Sequence, residues 1–207
     1  LQQFGVAEQT SKPTPPERVA VGVNANLDLI ANSGAFLLEL GVDAAGKVQP
    51  ADHETLESMQ EFLETFALYS EQGKAAERFV RNETLFAELV AAAERSDGMF
   101  AVGGNAALIA QRVSAIAGQK SEVLLGGIVM ERMRALLGYG FDIIGPHEVK
   151  LDQIHLIIEY KKGDMLFGAN ATRSNRFIVS ADSANANLVA AEPFFKRLLT
   201  WKPNLVI

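Results

Sequence analysis

The stretch RVAVGVNANLDLI, residues 18–30, combines two different strand patterns. Its first half, residues 18–23, is almost continuously apolar, as is typical of a strand buried on both faces. Its second half alternates polar and apolar residues, so an extended chain would place Asn24, Asn26 and Asp28 on one face. A strand that leaves a buried core for a one-sided sheet has this pattern. We therefore predict a layered α/β core with a small β-sheet beside it.

Further along the chain, hydrophobic periodicity predicts alternating helices and strands. Residues 74–79 have no clear pattern and are interpreted as a loop, whereas two apolar runs around the turn at 161–164 predict a hairpin over 154–167. One further helix is predicted over 54–72, where Gly73 ends it, and another from the N-cap Asn82 to about residue 95. The other predicted helices span 105–118, 129–137 and 188–199, and the other predicted strands span 99–102, 123–125, 141–144 and 176–180.

Both ends of the chain differ from the central domain. Residues 1–17 are polar and contain three prolines close together, which predicts a flexible N-terminal arm. Residues 18–207 then form one domain, whose second sheet uses segments near 24–32 and 152–175. Residues 201–207 are interpreted as a loop entering a buried strand, and we expect the chain to be truncated at its C-terminus.

Composition excludes several classes of function. Of the 207 residues, 48% are hydrophobic, which is typical of a protein with a packed core. The net charge is −6, which disfavours sequence-independent binding to nucleic acid or to an anionic membrane. There is no cysteine, which excludes disulfides and thiolate metal sites. No apolar stretch is long enough for a membrane helix, and a charged-then-apolar leader is not visible in residues 1–17. We expect no membrane contact from this segment.

Several residues suit binding, and each has a plain structural alternative. The Gly104–Asn105 turn could approach a ligand or simply cap a helix. The polar strand face could meet a hydroxyl-rich ligand or only solvent, and His155 could be functional or merely packed. Arg176 could hold a phosphate or lie on the surface. The phosphate-loop, dinucleotide, nucleophile-elbow and zinc-helix motifs are absent.

Five segments, in this order, resemble the ADP-dependent glucokinases of eukaryotic type, within the ribokinase-like sugar kinase superfamily. They are VGVNANLD at 21–28, AAERF at 75–79, VGGNAALI at 102–109, HLIIEY at 155–160 and NRFI at 175–178. The resemblance implies a ribokinase-like α/β core and a β-sheet lid that closes over the sugar. It also implies transfer of the β-phosphoryl group of ADP to the 6-hydroxyl of glucose, giving glucose 6-phosphate and AMP.

The resemblance further implies which residues bind the two substrates, glucose and ADP. Asp28 would accept hydrogen bonds from sugar hydroxyls, and Arg176 would reach the nucleotide phosphates. The complete sugar-binding set is Asn26, Asp28, Glu77, Gly104, Asn105 and His155.

The family's Gly-x-Gly-Asp segment, which supplies the general base, is missing. The only Gly-Asp pair is Gly163-Asp164, in a predicted turn. We expect the base and the Mg²⁺ ligands beyond Ile207, and so expect residues 1–207 alone to be inactive. We also expect a monomer. The resemblance implies the endoplasmic reticulum or secretory lumen, the only setting in which the sequons at Asn82 and Asn170 have a meaning.

Two alternative functions remain open at this point. One is an ADP-dependent phosphofructokinase, although the carboxylate of Glu77 favours glucose because it would repel a phosphorylated sugar. The other is a non-catalytic sugar-binding or interaction module from a truncated kinase. The abrupt end of the chain keeps this second alternative open.

Overall fold

The computed structural model describes residues 16–138 and 140–207, and nearly all of the predicted N-terminal arm lies outside them. None of the described helices is long and apolar enough to cross a membrane. The strands are β1 Arg18–Val21, β2 Asn26–Asn32, β3 Thr55–Leu56, β4 Ala76–Val80, β5 Met99–Gly103, β6 Glu122–Gly126, β7 Phe141–Ile144, β8 Ile154–Tyr160, β9 Met165–Leu166, β10 Ala169–Asn170, β11 Asn175–Ser180 and β12 Leu205–Val206. The helices are α1 Ser33–Glu39, α2 Met59–Gln72, α3 Glu83–Arg95, α4 Asn105–Ala117, α5 Glu131–Leu137, α6 Ser183–Ala186 and α7 Ala191–Trp201, with a 3₁₀ turn at Gly118–Lys120.

A four-stranded parallel sheet, ordered β12-β1-β6-β7, forms the first layer of the fold. The prediction that β1 is buried on both faces is confirmed, because Val19 packs towards α4 and α5 while Ala20 packs against Phe194 of α7. The predicted strand at the end of the chain is confirmed as β12. Its predicted burial is wrong: Leu205 at the sheet edge is 43% exposed.

A second sheet has six strands in the order β3-β4-β11-β8-β2-β5, and it is larger than the sequence predicts. The two segments expected in it, near 24–32 and 152–175, supply the neighbouring strands β2 and β8. The predicted hairpin over 154–167 is wrong, because β8 pairs in parallel with β2 and antiparallel with β11, while β9 and β10 form a separate two-stranded sheet. Tertiary packing, not the local turn, decides these pairings.

One face of the six-stranded sheet, which we call the apolar face, is covered by helices α1, α2 and α3. Its centre is a cluster of fully buried rings. Phe66 stacks on Phe177 with ring centroids 5.4 Å apart, and it also contacts Phe62 at 5.9 Å and Tyr160 at 6.1 Å. Because alternate residues of each strand point to this face, the intervening residues face the opposite way.

Local capping explains where the helices around the sheet begin. Helix α2 starts at Met59 and not at the predicted 54, because Ser58 caps it (Oγ accepts the Glu61 N–H at 3.3 Å). The predicted stop at Gly73 and the predicted Asn82 cap of α3 are confirmed. The loop interpretation of 74–79 is wrong, since most of that segment forms β4 between β3 and β11.

Candidate functional site

The second face of the six-stranded sheet, which we call the polar face, carries hydrogen-bonding side chains from neighbouring strands. Asp28 of β2, His155 of β8 and Ser180 of β11 are register partners across the sheet. Glu77 of β4 lies opposite Ile178 of β11, two residues before Ser180. Registered neighbours share a face, so these groups converge on one surface.

Asn26 and Asp28 are locked together at one end of β2. The Asn26 side chain is buried, and its Nδ2 donates a hydrogen bond to Asp28 Oδ1 at 2.6 Å. Gly103 of β5 lies directly opposite Asn26, and a side chain there would collide with both polar groups. Glycine at this position therefore gives the amide and the carboxylate the space that they occupy.

The start of helix α4 extends this end of the sheet. Gly104, with a φ of +81°, occupies the N-cap position, and a Cβ there would collide with Asn24. The capping alternative for Asn105 is wrong, because Asn105 is the first residue of the helix and its exposed side chain makes no capping hydrogen bond. The Ala106 N–H donates to the Asn24 carbonyl at 3.1 Å, which fixes the turn against the chain entering β2.

An open cleft of about 570 Å³ lies at the β4 side of the polar face. Ser180 donates from Oγ to Glu77 Oε1 at 3.3 Å across its floor. Most of the residues that line this cleft are polar or charged. Among its lining residues are Glu54, Glu77, His155, Ser180, Asp182 and Asn185.

His155 is held by a buried carboxylate. Its Nε2 lies 3.1 Å from Oδ2 of Asp182, whose side chain is only 2% exposed. Burial alone would lower the pKa of His155, but the hydrogen bond and charge of Asp182, helped by Glu77 and Asp28, raise it above the ordinary value. Burial alone would raise the pKa of Asp182, but its hydrogen bonds with His155 and Asn185 bring it below the ordinary value. Each group therefore favours the charged form of the other.

The pKa of the Asp28 carboxyl is shifted in the opposite direction to that of Asp182. Burial raises its pKa, and the charge of Glu77 adds to the increase. His155, the hydrogen bond from Asn26 and the charge of Arg176 oppose the increase without cancelling it. Asp28 is thus a partly desolvated acceptor with spare hydrogen-bonding capacity.

Arg176 lies further along the same face, outside the cleft. It is exposed, is the register partner of Glu159, and lines a neighbouring cavity of about 750 Å³. Its positive charge still acts on Asp28. The guanidinium therefore borders the polar face where a charged group of a ligand could meet it.

The seven residues singled out from the sequence thus fall into three places. Glu77 and His155 line the cleft, with Asp28 registered beside His155. Asn26, Gly104 and Asn105 form the β5 end of the face, and Arg176 forms the far end.

Four cleft residues were missed from the sequence: Glu54, Ser180, Asp182 and Asn185. Asp182 offered one signal, since Asp followed by Ser-Ala-Asn is a helix-capping pattern, and it does cap α6. Glu54 offered none, because its place beside the cleft depends on the pairing of β3 with β4.

No cluster of three or more carboxylate or histidine groups within residues 16–138 and 140–207 is arranged to hold a metal ion. The functional groups of this face are hydrogen-bond donors and acceptors, and one guanidinium.

Comparison with known proteins identifies related chains. Residues 17–207 match the profile described as the ADP-specific phosphofructokinase/glucokinase conserved region. A probable ADP-dependent glucokinase from Caenorhabditis elegans and an ADP-dependent glucokinase from Bos taurus are each 35% identical over 192 residues, 92% of this chain. The chain spans 38% and 37% of the lengths of these relatives.

Solved structures support the same fold. A hypothetical ADP-dependent phosphofructokinase from Pyrococcus horikoshii superposes with a TM-score of 0.58 at 18% identity, over 81% of this chain and 42% of that one. An ADP-dependent kinase in complex with fructose 6-phosphate and ADPβS superposes with a TM-score of 0.57 at 18% identity, over 81% of this chain and 35% of that one. At such identity the likeness establishes the α/β fold alone. The profile covers nearly the whole described chain, and the protein therefore belongs to the ADP-specific phosphofructokinase/glucokinase family.

Proposed function

We propose that this chain forms the sugar-binding part of an ADP-dependent glucokinase, which transfers the β-phosphoryl group of ADP to the 6-hydroxyl of D-glucose and releases AMP. The observation that carries the proposal is the polar face, on which Asp28, Glu77 and His155 converge. The names of the two relatives that are 35% identical support the same activity.

The proposed roles follow from hydrogen-bonding capacity. Glucose is neutral and rich in hydroxyls, so its site needs fixed acceptors and donors. Asp28, oriented by Asn26 at 2.6 Å, and Glu77 would accept from sugar hydroxyls, while His155 would donate. The turn at Gly104 and Asn105 would complete the site at the β5 end.

Arg176 is proposed to hold the nucleotide phosphates. In the transfer, a bond forms between the sugar O6 and the β-phosphorus, while the bond from that phosphorus to the oxygen bridging it to AMP breaks. Negative charge then spreads over the phosphoryl oxygens, and a guanidinium on the same face as the sugar acceptors can stabilise it. None of the described residues is assigned as the base that takes the hydroxyl proton.

From the family resemblance we also propose that the reaction requires Mg²⁺ and that the protein is located in the endoplasmic reticulum or the secretory lumen. The residues described here do not form a group of ligands that fits Mg²⁺, so no step is derived through the metal. Dependence of the full-length protein on added Mg²⁺, and its recovery in microsomal fractions, would test these two parts.

A phosphofructokinase activity is the competing assignment. The solved neighbours described as phosphofructokinases are 17–19% identical to this chain, and this similarity supports the fold without supporting their substrate. Glu77 counts against a phosphorylated sugar, because its carboxylate would face the anionic group at short range.

The test uses the full-length protein with ADP, Mg²⁺ and either glucose or fructose 6-phosphate, followed by AMP release. We expect glucose to be preferred, and Glu77→Gln to lower kcat/KM for glucose by about thirtyfold through loss of a charged acceptor. Glu94→Gln, which removes a surface partner of Arg132, is the matched control and should not change the kinetics. Preference for fructose 6-phosphate, or an unaltered Glu77→Gln variant, would contradict the proposal.

A further inference from the structure

Asp182 reaches the His155 ring from the segment that follows β11. Its Oδ2 lies 3.1 Å from Nε2, and its side chain is only 2% exposed against 21% for His155. The histidine therefore lines the cleft, whereas the carboxylate lies almost entirely out of solvent. This arrangement suits a group that acts on a ligand through the imidazole.

The Asp182 carboxylate is itself fixed by Asn185. Its Oδ1 accepts the Asn185 backbone N–H at 2.8 Å, and its Oδ2 accepts a hydrogen bond from Asn185 Nδ2. The same Nδ2 donates to the Ala25 carbonyl at 3.0 Å, next to Asn26 at the start of β2. The buried network thus joins the two sides of the sugar site.

The orientation of the Asn185 amide is also determined. Reversing it would place its oxygen against the Asp182 carboxylate and the Ala25 carbonyl, two acceptors that offer no proton. In the observed orientation Oδ1 is buried and finds no partner within the described ranges. Asn185 lines the cleft, but this oxygen itself is shielded from solvent.

We propose that Asp182 is a positioning residue of the sugar site, which orients the His155 ring so that Nδ1 donates to a sugar oxygen. This inference rests on the proposed function. Once Nε2 is committed to Asp182, Nδ1 is the ring nitrogen left for a ligand.

The charges around His155 agree with this role. Asp182 after β11, Asp28 on β2 and Glu77 on β4 all contribute negative charge that raises the pKa of His155 against the opposing effect of burial. Glu54, from the segment before β3, lines the same cleft and adds a fourth carboxylate. An imidazolium donor among carboxylate acceptors offers both hydrogen-bonding polarities that a sugar hydroxyl needs.

The test compares the full-length wild-type protein with Asp182→Asn, which keeps the shape and the capping oxygen but removes the charge and the oxygen that accepts from Asn185 Nδ2. The His155 ring signal, assigned by its loss in His155→Gln, is followed by NMR against pH. We expect the wild-type midpoint to lie above the ordinary histidine value of about 6.5 and the variant midpoint to fall. The KM for glucose should rise about tenfold at about pH 7.5, and should approach the wild-type value at about pH 5.5, where the imidazole regains its proton.

Asp43→Asn is the matched control, because Asp43 also accepts a backbone N–H, from Ala45 at 2.9 Å, but is exposed and contacts no histidine. It should change neither the midpoint nor the KM. In a His155→Gln background, Asp182→Asn should have little further effect on KM, since the carboxylate acts through the ring.

An unchanged His155 midpoint in Asp182→Asn, or a KM ratio that is the same at both pH values, would overturn the proposal. If Asp182→Asn does not fold, the wild-type midpoint decides alone, and a midpoint at or below the ordinary value would overturn it. A wild-type protein that does not phosphorylate glucose would instead contradict the proposed function. The NMR comparison would still establish whether Asp182 holds the proton on His155.

Discussion

The two faces of the six-stranded sheet are built by the same strands and have opposite properties. On the apolar face, Phe66 and Phe177 are fully buried beneath three helices, and their surfaces are covered by other rings. On the polar face, Asp28 and His155 are half-buried, and Glu77 is exposed. One face satisfies its side chains within the protein, and the other leaves acceptors and an imidazole ring open to a ligand.

This difference separates stability from function within a single sheet. Burial of apolar area stabilises the fold, whereas partly desolvated carboxylates destabilise it unless a ligand completes their hydrogen bonds. The burial that raises the pKa of Asp28 is a direct sign of that unfavourable contribution. Substitutions on the apolar face should therefore lower stability strongly, and substitutions on the polar face should lower it hardly at all.

The largest expected effect is on the apolar face. Phe66→Ala should lower the free energy of unfolding of the full-length protein by about 3–5 kcal/mol, because it leaves a cavity among Phe62, Tyr160 and Phe177. Urea denaturation measures this change. A loss below about 1 kcal/mol would mean that the aromatic cluster is not the centre of this core.

A smaller effect is expected at the edge of the apolar face, where Asn82 caps α3. Its Oδ1 accepts the Leu85 N–H at 3.1 Å, and its Nδ2 donates to the Glu57 carbonyl at 3.0 Å. Asn82→Ala should lower the free energy of unfolding by about 1–2 kcal/mol, and Asn82→Asp, which keeps only the cap, by about half as much. Equal losses in the two variants would show that the cap contributes little.

The smallest effect on stability is expected on the polar face. Because folding raises the pKa of Asp28, the charged carboxylate costs stability above its unfolded pKa, and this cost is complete above its folded pKa. Asp28→Asn should therefore leave the free energy of unfolding at neutral pH within about 0.5 kcal/mol of the wild type, or above it. The pH-dependent part of any difference should vanish in acid, where the carboxyl is protonated in both states. A clear loss of stability at neutral pH would place Asp28 among the groups that hold the fold together.

Sequence reasoning succeeded where the pattern was local. The alternation after Val23 correctly placed Asn26 and Asp28 on one face of a strand, and the capping signals at Asn82 and Gly73 were correct. Each of these features depends on residues a few positions apart, so the sequence itself contains the information.

It failed where distant segments decide the structure. The segment at 74–79 has a polar sequence typical of a loop, but β4 lies between two strands. Its Glu77 is exposed on one side, and its Arg78 donates hydrogen bonds to residues 52 and 53 on the other. The hairpin prediction failed because the partners of β8 are β2 and β11, the first of them more than a hundred residues away. Asp182 was missed for the same reason, since its role depends on the pairing that brings His155 beside it.

Calorimetric titration of the full-length protein with glucose shows whether the polar face holds the sugar, when wild type, Asp28→Asn and Asp43→Asn are compared. If the polar face binds the sugar, wild type and Asp43→Asn should give the same saturable heat, and Asp28→Asn should bind at least about tenfold more weakly while remaining as stable as the wild type. Equal affinity in wild type and Asp28→Asn would contradict a sugar site on the polar face, because glucose would then bind somewhere else.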